Sequence, residues 1–446
     1  MLLRLPIISF FVSLFFLTGC LEKDLRNPVD TKWKSLAIST EKFIKSAKYE
    51  LDEGANWHIM PDSSRQIDDL SLYSGSPGII LFYLELFHAT KDSSYLMEAE
   101  LGAEYLINVM PDTIPDRYFI GLYGGIAGFG FTFTEVYKAS GKEKFKLAAI
   151  NTINLLENSA VKTESGINWA GLNDIIYGNA GIGLYLQYIA DEFELKKADS
   201  LAVLAANGLL DSAIDTLGGL RWKSRTEDKY YMDNFSHGTA GIGYFLSEVY
   251  QQTNDQKYLD ACLLAVNLLD KYSNEKGYVS YVSPLREDLY YLNWCHGPAG
   301  TSRFYYSLYE STKDEKWLTK VEFIAGNLLN EGIEKDEKPG FWNNVGKCCG
   351  SVGIVEYYLW LNQVTGEKIY LDFAKKMTES ILAKTTKEDS MIKWIHAETR
   401  VRPREVAAQT GLMQGSAGIG LLFLKLNAHE QNKSHQIILP DEISVR

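Results

Sequence analysis

Residues 236–246 read Ser236-His237-Gly238-Thr239-Ala240-Gly241-Ile242-Gly243-Tyr244-Phe245-Leu246, two glycines three apart that open an apolar run. The cluster recurs seven times, with its first glycine at Gly75, Gly125, Gly178, Gly238, Gly297, Gly350 and Gly415. These positions lie 50, 53, 60, 59, 53 and 65 residues apart, a period that marks a repeat architecture. The run after the first cluster, Ile79 to Phe87, leaves almost no polar face and predicts a helix buried on all sides. A polar turn follows, seen as Lys91-Asp92, Gly141-Lys142, Asn254-Asp255, Lys313-Asp314 and Gly366-Glu367. Beyond it Tyr95, Ala99, Ala103, Leu106 and Met110 recur at near-helical spacing with Glu98, Glu100 and Glu104 between them. That pattern predicts a second helix with one apolar stripe and one solvated face.

Seven such hairpins with fully buried inner helices cannot form an open row, whose inner face would meet water. A closed ring solves the burial problem. The expected fold is therefore all-α, an α/α toroid of seven helical hairpins with inner and outer helix rings. After the last inner run, residues 418–427, the polar tail is too short for an outer partner, and Lys32 to Leu51 is the expected substitute. The glycine clusters should form the turns entering the inner helices and gather at one mouth, allowing close backbone approach and positive φ.

The toroid domain is assigned to residues 32–446. Before it, Arg4 and the apolar stretch Ile7 to Leu17 read as a targeting segment, too short to span a membrane. It ends in Leu17-Thr18-Gly19-Cys20, which looks like a bacterial lipobox. Residues 1–19 are then a lipoprotein signal peptide and 20–31 a lipidated tether. The expected location is an exported lipoprotein anchored through Cys20, in the outer membrane and facing the periplasm or the surface. A hydrophobic content of 46% with 23% charged residues is ordinary for a globular protein. The net charge of −12 argues against a nucleic-acid partner.

The two residues before each first glycine carry the chemistry: Ser236-His237, Cys295-His296 and Cys348-Cys349 in three successive copies. Cys20 is assigned to the lipid, and Cys262, inside Ala261-Cys262-Leu263-Leu264-Ala265, to a buried helix. The remaining three are odd in number, and adjacent cysteines rarely close a relaxed disulfide. Metal ligation uses all of them, so Cys295, Cys348 and Cys349 are the candidate ligands of a zinc site with its fourth position open. His296 as a fourth ligand would close that site, and bare thiols without metal are the alternative to it. His237, at the equivalent position one copy earlier, is the candidate proton shuttle. Asp174 should orient it, with Asp233 and Glu227 as competitors. His58, His88, His396, His429 and His435 have no repeat equivalents and read as surface or packing residues.

Trp294-Cys295-His296-Gly297, Lys347-Cys348-Cys349-Gly350, Ser236-His237-Gly238 and Gly411-Leu412-Met413-Gln414-Gly415-Ser416-Ala417-Gly418 resemble, in order, the motifs of the lanthionine synthetase cyclases, the LanC-like family. The resemblance covers roughly residues 35–428. It implies the seven-hairpin toroid and a zinc-dependent Michael-type addition, in which a cysteine thiol attacks a dehydroalanine or dehydrobutyrine residue to give a thioether. The implied partner is a dehydrated, cysteine-containing peptide, prepared by a separate dehydratase. Two departures stand out. Most members have Cys-His-Gly where this chain has Cys348-Cys349-Gly350, which resembles a three-cysteine subset of bifunctional synthetases. Many have an arginine where Tyr291 stands, and Arg286 and Arg303 are the candidates to replace it. Two rival readings remain. One is a carbohydrate-active toroid enzyme using Asp174 and Asp233 as paired carboxylates. The other is a zinc-bearing lipoprotein that binds thiol peptides without turnover.

Overall fold

The computed structural model of the protein describes residues 32–63 and 67–442. The expected signal peptide, Cys20 and the expected tether lie outside them. Among the described residues are fourteen helices in seven antiparallel pairs. The outer ring is α1 (Lys32–Ser46), α3 (Ser93–Val109), α5 (Glu143–Ser159), α7 (Lys196–Asp211), α9 (Gln256–Lys271), α11 (Glu315–Leu329) and α13 (Lys368–Ala383). The inner ring is α2 (Ser76–Thr90), α4 (Ile126–Ser140), α6 (Asn179–Phe193), α8 (Thr239–Thr253), α10 (Pro298–Thr312), α12 (Ser351–Thr365) and α14 (Ser416–Glu430). Each inner helix packs against the next, and α14 returns to α2, so the ring closes. The outer partner of α14 is α1, with Trp33 stacked on Phe423 at 6.1 Å. The expected helix over Lys32 to Leu51 stops at Ser46, because Lys48–Leu51 pairs as a strand with Gly54–Trp57.

Burial explains the inner helices. Every residue of α2 from Ser76 to Leu86 is buried, so its apolar composition is used on all faces. At the far end the chain reverses in two residues. Lys91, Asn254 and Lys313 take left-handed backbone and donate N–H to the carbonyl four residues back. Asp92, Asp255 and Asp314 then cap the outer helices by accepting N–H from two residues on.

At the mouth, each first glycine is the N-cap of an inner helix, and none of the seven has positive φ. The expected left-handed backbone is absent, and close approach alone requires glycine. A Cβ on Gly241, Gly300 or Gly353 would overlap the carbonyl oxygen six residues earlier, at Phe235, Trp294 or Lys347. Short antiparallel ribbons lead from several outer helices to the next cluster, as with Ile214–Thr216 and Gly219–Arg221.

The polar tail after α14 is not a solvated extension. The Gln436 and Ile437 amides donate to the Glu85 carboxylate of α2, at 3.0 and 2.8 Å. Asp441 accepts from the Tyr123 hydroxyl at 2.7 Å and pairs with Arg303 of α10 at 2.8 Å. Glu442 pairs with Lys347 at 2.7 Å and Lys425 at 3.0 Å. Partners on α2, α10 and α14 place this segment along the axis of the ring.

Candidate metal centre

The loops that enter the inner helices are tied by a closed circle of backbone hydrogen bonds. Tyr73 donates to the Tyr123 carbonyl (3.1 Å), Tyr123 to Ile176 (3.0 Å), Ile175 to Ser236 (3.2 Å) and Ser236 to Cys295 (2.9 Å). Cys295 donates to Cys348 (3.2 Å), Cys348 to Met413 (2.9 Å), and Met413 back to Tyr73 (2.9 Å). All seven carbonyls belong to the residue two before the first glycine of a cluster. Side chains at that position and the next therefore stand side by side around the mouth.

This register brings three sulfurs together. Cys295 Sγ lies 3.2 Å from Cys349 Sγ, and Cys348 Sγ lies 3.4 Å from Cys349 Sγ. Sulfurs bound to one tetrahedral zinc at ~2.3 Å stand about 3.8 Å apart, so a few tenths of an ångström of adjustment would seat the ion. Among the described residues this is the group of His, Cys, Asp and Glu side chains arranged to hold a metal. The donor set suits zinc, and His296 is outside it. Asn293 braces the cluster, accepting from Cys295 Sγ at 3.1 Å and donating to the Cys349 carbonyl at 2.8 Å. The Tyr73 hydroxyl bonds the Cys348 sulfur and accepts from Gln414 at 2.8 Å. Burial pushes the Cys295 and Cys348 thiols well above their ordinary range, while hydrogen bonds to those two sulfurs hold Cys349 well below it.

His237 stands beside the cluster and is outside the sulfur trio. Its Nδ1 lies 2.7 Å from Asp174 Oδ2, on a carboxylate that is almost wholly buried. Asp174 also accepts from Ser224 Oγ at 2.6 Å and from the Tyr177 amide at 2.7 Å, so its orientation is set from three sides. The competitors are engaged elsewhere: Asp233 pairs with Arg221 and Thr239, and Glu227 with Arg117. Asp233 and Asp174 therefore do not form a free carboxylate pair, which removes the basis of the carbohydrate-enzyme reading. His296 stacks on His237 at 5.6 Å, its Nδ1 buried without a partner among the described residues. Burial, then the neighbouring His237, holds its pKa well below the usual imidazole range.

Neither arginine expected to replace the one missing at Tyr291 reaches the centre. Arg286 pairs with Asp288 in an exposed loop, and Arg303 is held by Asp441 in the ring axis. Arg400 does approach, donating Nε–H to the Tyr291 hydroxyl at 3.2 Å. Reading the sequence missed Tyr73, Gln414, Asn293, Ser224, Tyr281 and Arg400. The first two occupy the residues just before a cluster and could have been found there. Ser224, Tyr281 and Arg400 lie in connections of unequal length, where repeat position carries no signal.

A family model described as lanthionine synthetase C-like protein matches residues 66–439. The chain is 23% identical over 343 residues to the nisin biosynthesis protein NisC of Lactococcus lactis subsp. lactis, covering 72% of this chain and 70% of that one. It is 20% identical over 313 residues to a Danio rerio protein named glutathione S-transferase LANCL1, covering 68% and 72%. The solved structure of nisin cyclase superposes with a TM-score of 0.63 at 19% identity, over 89% of this chain and 95% of that chain. The family match runs from before the first glycine cluster to beyond the last and takes in all three cysteines. On that ground, together with the closed ring of seven hairpins, the chain belongs to the lanthionine synthetase C-like family.

Proposed function

We propose that this protein joins a thiol to the β-carbon of a dehydroalanine or dehydrobutyrine residue in a peptide, closing a thioether ring. One observation carries the reading: a three-sulfur cluster stands beside an imidazole whose Nδ1 is held by a buried carboxylate. A zinc ion held by Cys295, Cys348 and Cys349 would supply a Lewis acid that takes the incoming thiol as thiolate, the reactive form. Asp174, by holding Nδ1 of His237, leaves Nε2 to carry a proton at the mouth. The sulfur–carbon bond forms at Cβ, and the π pair of the alkene moves to Cα and the adjoining carbonyl. His237 then delivers a proton to Cα. The thiol gives up one proton at the start and the carbon gains one at the end, so no atom is gained or lost overall. The substrate must therefore arrive already dehydrated, which calls for a separate dehydratase. The Leu17–Cys20 lipobox supports an exported protein anchored through Cys20 that meets its peptide after export.

Ring closure leaves the peptide mass unchanged, so the test counts free thiols. A dehydrated, cysteine-containing peptide is incubated with the protein and then alkylated. The wild type is expected to consume the thiol, and His237→Ala to keep its metal yet slow the reaction by about 10²–10⁴-fold. Binding of the peptide with no loss of thiol would reject turnover and leave a binding lipoprotein. Faster consumption of an added small thiol such as glutathione would redirect the reading to intermolecular transfer, which the name of the Danio rerio relative supports.

A further inference from the structure

Most of the described arginines are paired with carboxylates. Arg117 bonds Glu227 at 3.0 Å, Arg225 bonds Asp228 at 2.7 Å, and Arg402 bonds Glu405 at 3.3 Å. Arg221, Arg286 and Arg303 have Asp233, Asp288 and Asp441. Arg404 is exposed. Arg400 differs from all of these. It is half-buried, its Nε is spent on the Tyr291 hydroxyl, and neither Nη group has a partner among the described residues.

Its surroundings are built. Tyr291 stacks face to face on Tyr281 at 4.3 Å and meets Trp342 edge-on at 5.3 Å, so the ring whose hydroxyl holds Arg400 is packed on two sides. Both tyrosine rings abut His296, at 4.9 and 5.7 Å. His296 directly follows Cys295, so the tyrosine that holds Arg400 packs against the neighbour of a cluster sulfur. Glu398, two residues back on the same loop, bonds Gln409 at 3.1 Å and does not pair with Arg400. A guanidinium with an unengaged, forked donor pair can hold a carbonyl or carboxylate oxygen through parallel N–H bonds.

We propose that Arg400 completes the active centre by binding the carbonyl oxygen of the dehydroamino acid, with Tyr281 and Tyr291 as positioning residues. This rests on the thioether-forming reading above. As the thiolate adds to Cβ, the π pair passes to the carbonyl oxygen, and the Nη donors face the charge that develops there. Tyr291 then does not leave the site without an arginine. It anchors one delivered by a loop more than a hundred residues further along the chain.

The test compares wild type, Arg400→Gln, Arg400→Lys and Tyr291→Phe in the thiol-consumption assay, with metal content and helical circular dichroism measured on each. All four are expected to keep metal and helicity. Arg400→Gln should lower kcat by about 10²–10³-fold with KM little changed. Arg400→Lys should recover part of that loss, and Tyr291→Phe, which keeps the ring stack, should lose less. A wild-type kcat in Arg400→Gln overturns the proposal while the thioether reading stands. So does a raised KM at unchanged kcat, which would make Arg400 an ordinary binding residue. Loss of metal or helicity in both Arg400 variants assigns it a structural role and also overturns the proposal. A wild type that consumes no thiol overturns both.

Discussion

Cysteine alone cannot say what a thiol does, and in this chain the surroundings decide. Cys262 is buried in α9 with its Sγ 3.3 Å from the Gly243 carbonyl, and burial raises its pKa. Burial disfavours its thiolate, and it lies outside the three-sulfur group. Cys349, by contrast, sits between two sulfurs and is held toward the thiolate. The wild type is expected to carry about one zinc per chain, Cys262→Ala the same, and Cys349→Ala almost none. Elemental analysis of the three proteins checks this, and full zinc in Cys349→Ala would remove the metal site from the model of function. At this scale the meeting of the three sulfurs with His237 nearby was legible because these residues fall at fixed offsets from a repeated glycine. Arg400 was not, since only the folded loop shows which arginine meets Tyr291.

Among the elements, the outer helices end in a device that the repeat hides. Trp169, Trp222 and Trp394 each donate Nε1–H to a carbonyl thirteen residues upstream, at Leu156, Leu209 and Ile381, over 2.7–2.9 Å. Each acceptor lies in the last turn of an outer helix, where the N–H four residues on is missing, and Leu209 and Ile381 accept in addition from the capping amides of Ser212 and Lys384. The tail is the other element whose role depends on contact. Burial lifts the Glu85 carboxyl to about 7, only partly offset by the Gln436 and Ile437 amides. The unfolded value is about 4.3, so the folded state holds this proton more tightly. Its burden on stability is absent below about pH 4.3, grows as pH rises to about 7, and is constant above that. The full burden is on the order of 3 kcal/mol. Glu85→Gln should therefore gain on the wild type in thermal stability as pH is raised from 5 to 7.5. A difference independent of pH would mean that Glu85 is ionised throughout.

For the whole molecule, ring closure is what turns seven weak hairpins into a single core. No inner helix could remain in water alone, and each buries its apolar surface between two neighbours and an outer partner, with the axial segment added on α2, α10 and α14. Among the described residues no helix is long and apolar enough to cross a membrane. If Cys20 carries lipid, Cys20→Ser should leave the membrane fraction in a fractionated host while the toroid keeps its helicity. Equal partitioning of both forms would reject the anchor.

The chain's own pattern determined the number of hairpins, their inner and outer characters, the closure of the ring and the identity of the sulfur cluster. These follow from local periodicity and from a short motif at constant offset, which any stretch of chain expresses without help from the rest. Tertiary structure alone decided the long-range pairings. It chose Asp174 over Asp233 by giving Asp233 to Arg221, sent the acidic tail into the ring axis, and set Arg400 against Tyr291. The physical reason is that a side chain's partner is the group that arrives opposite it. When that group travels on a connecting loop of irregular length, only the packed ring fixes where it arrives.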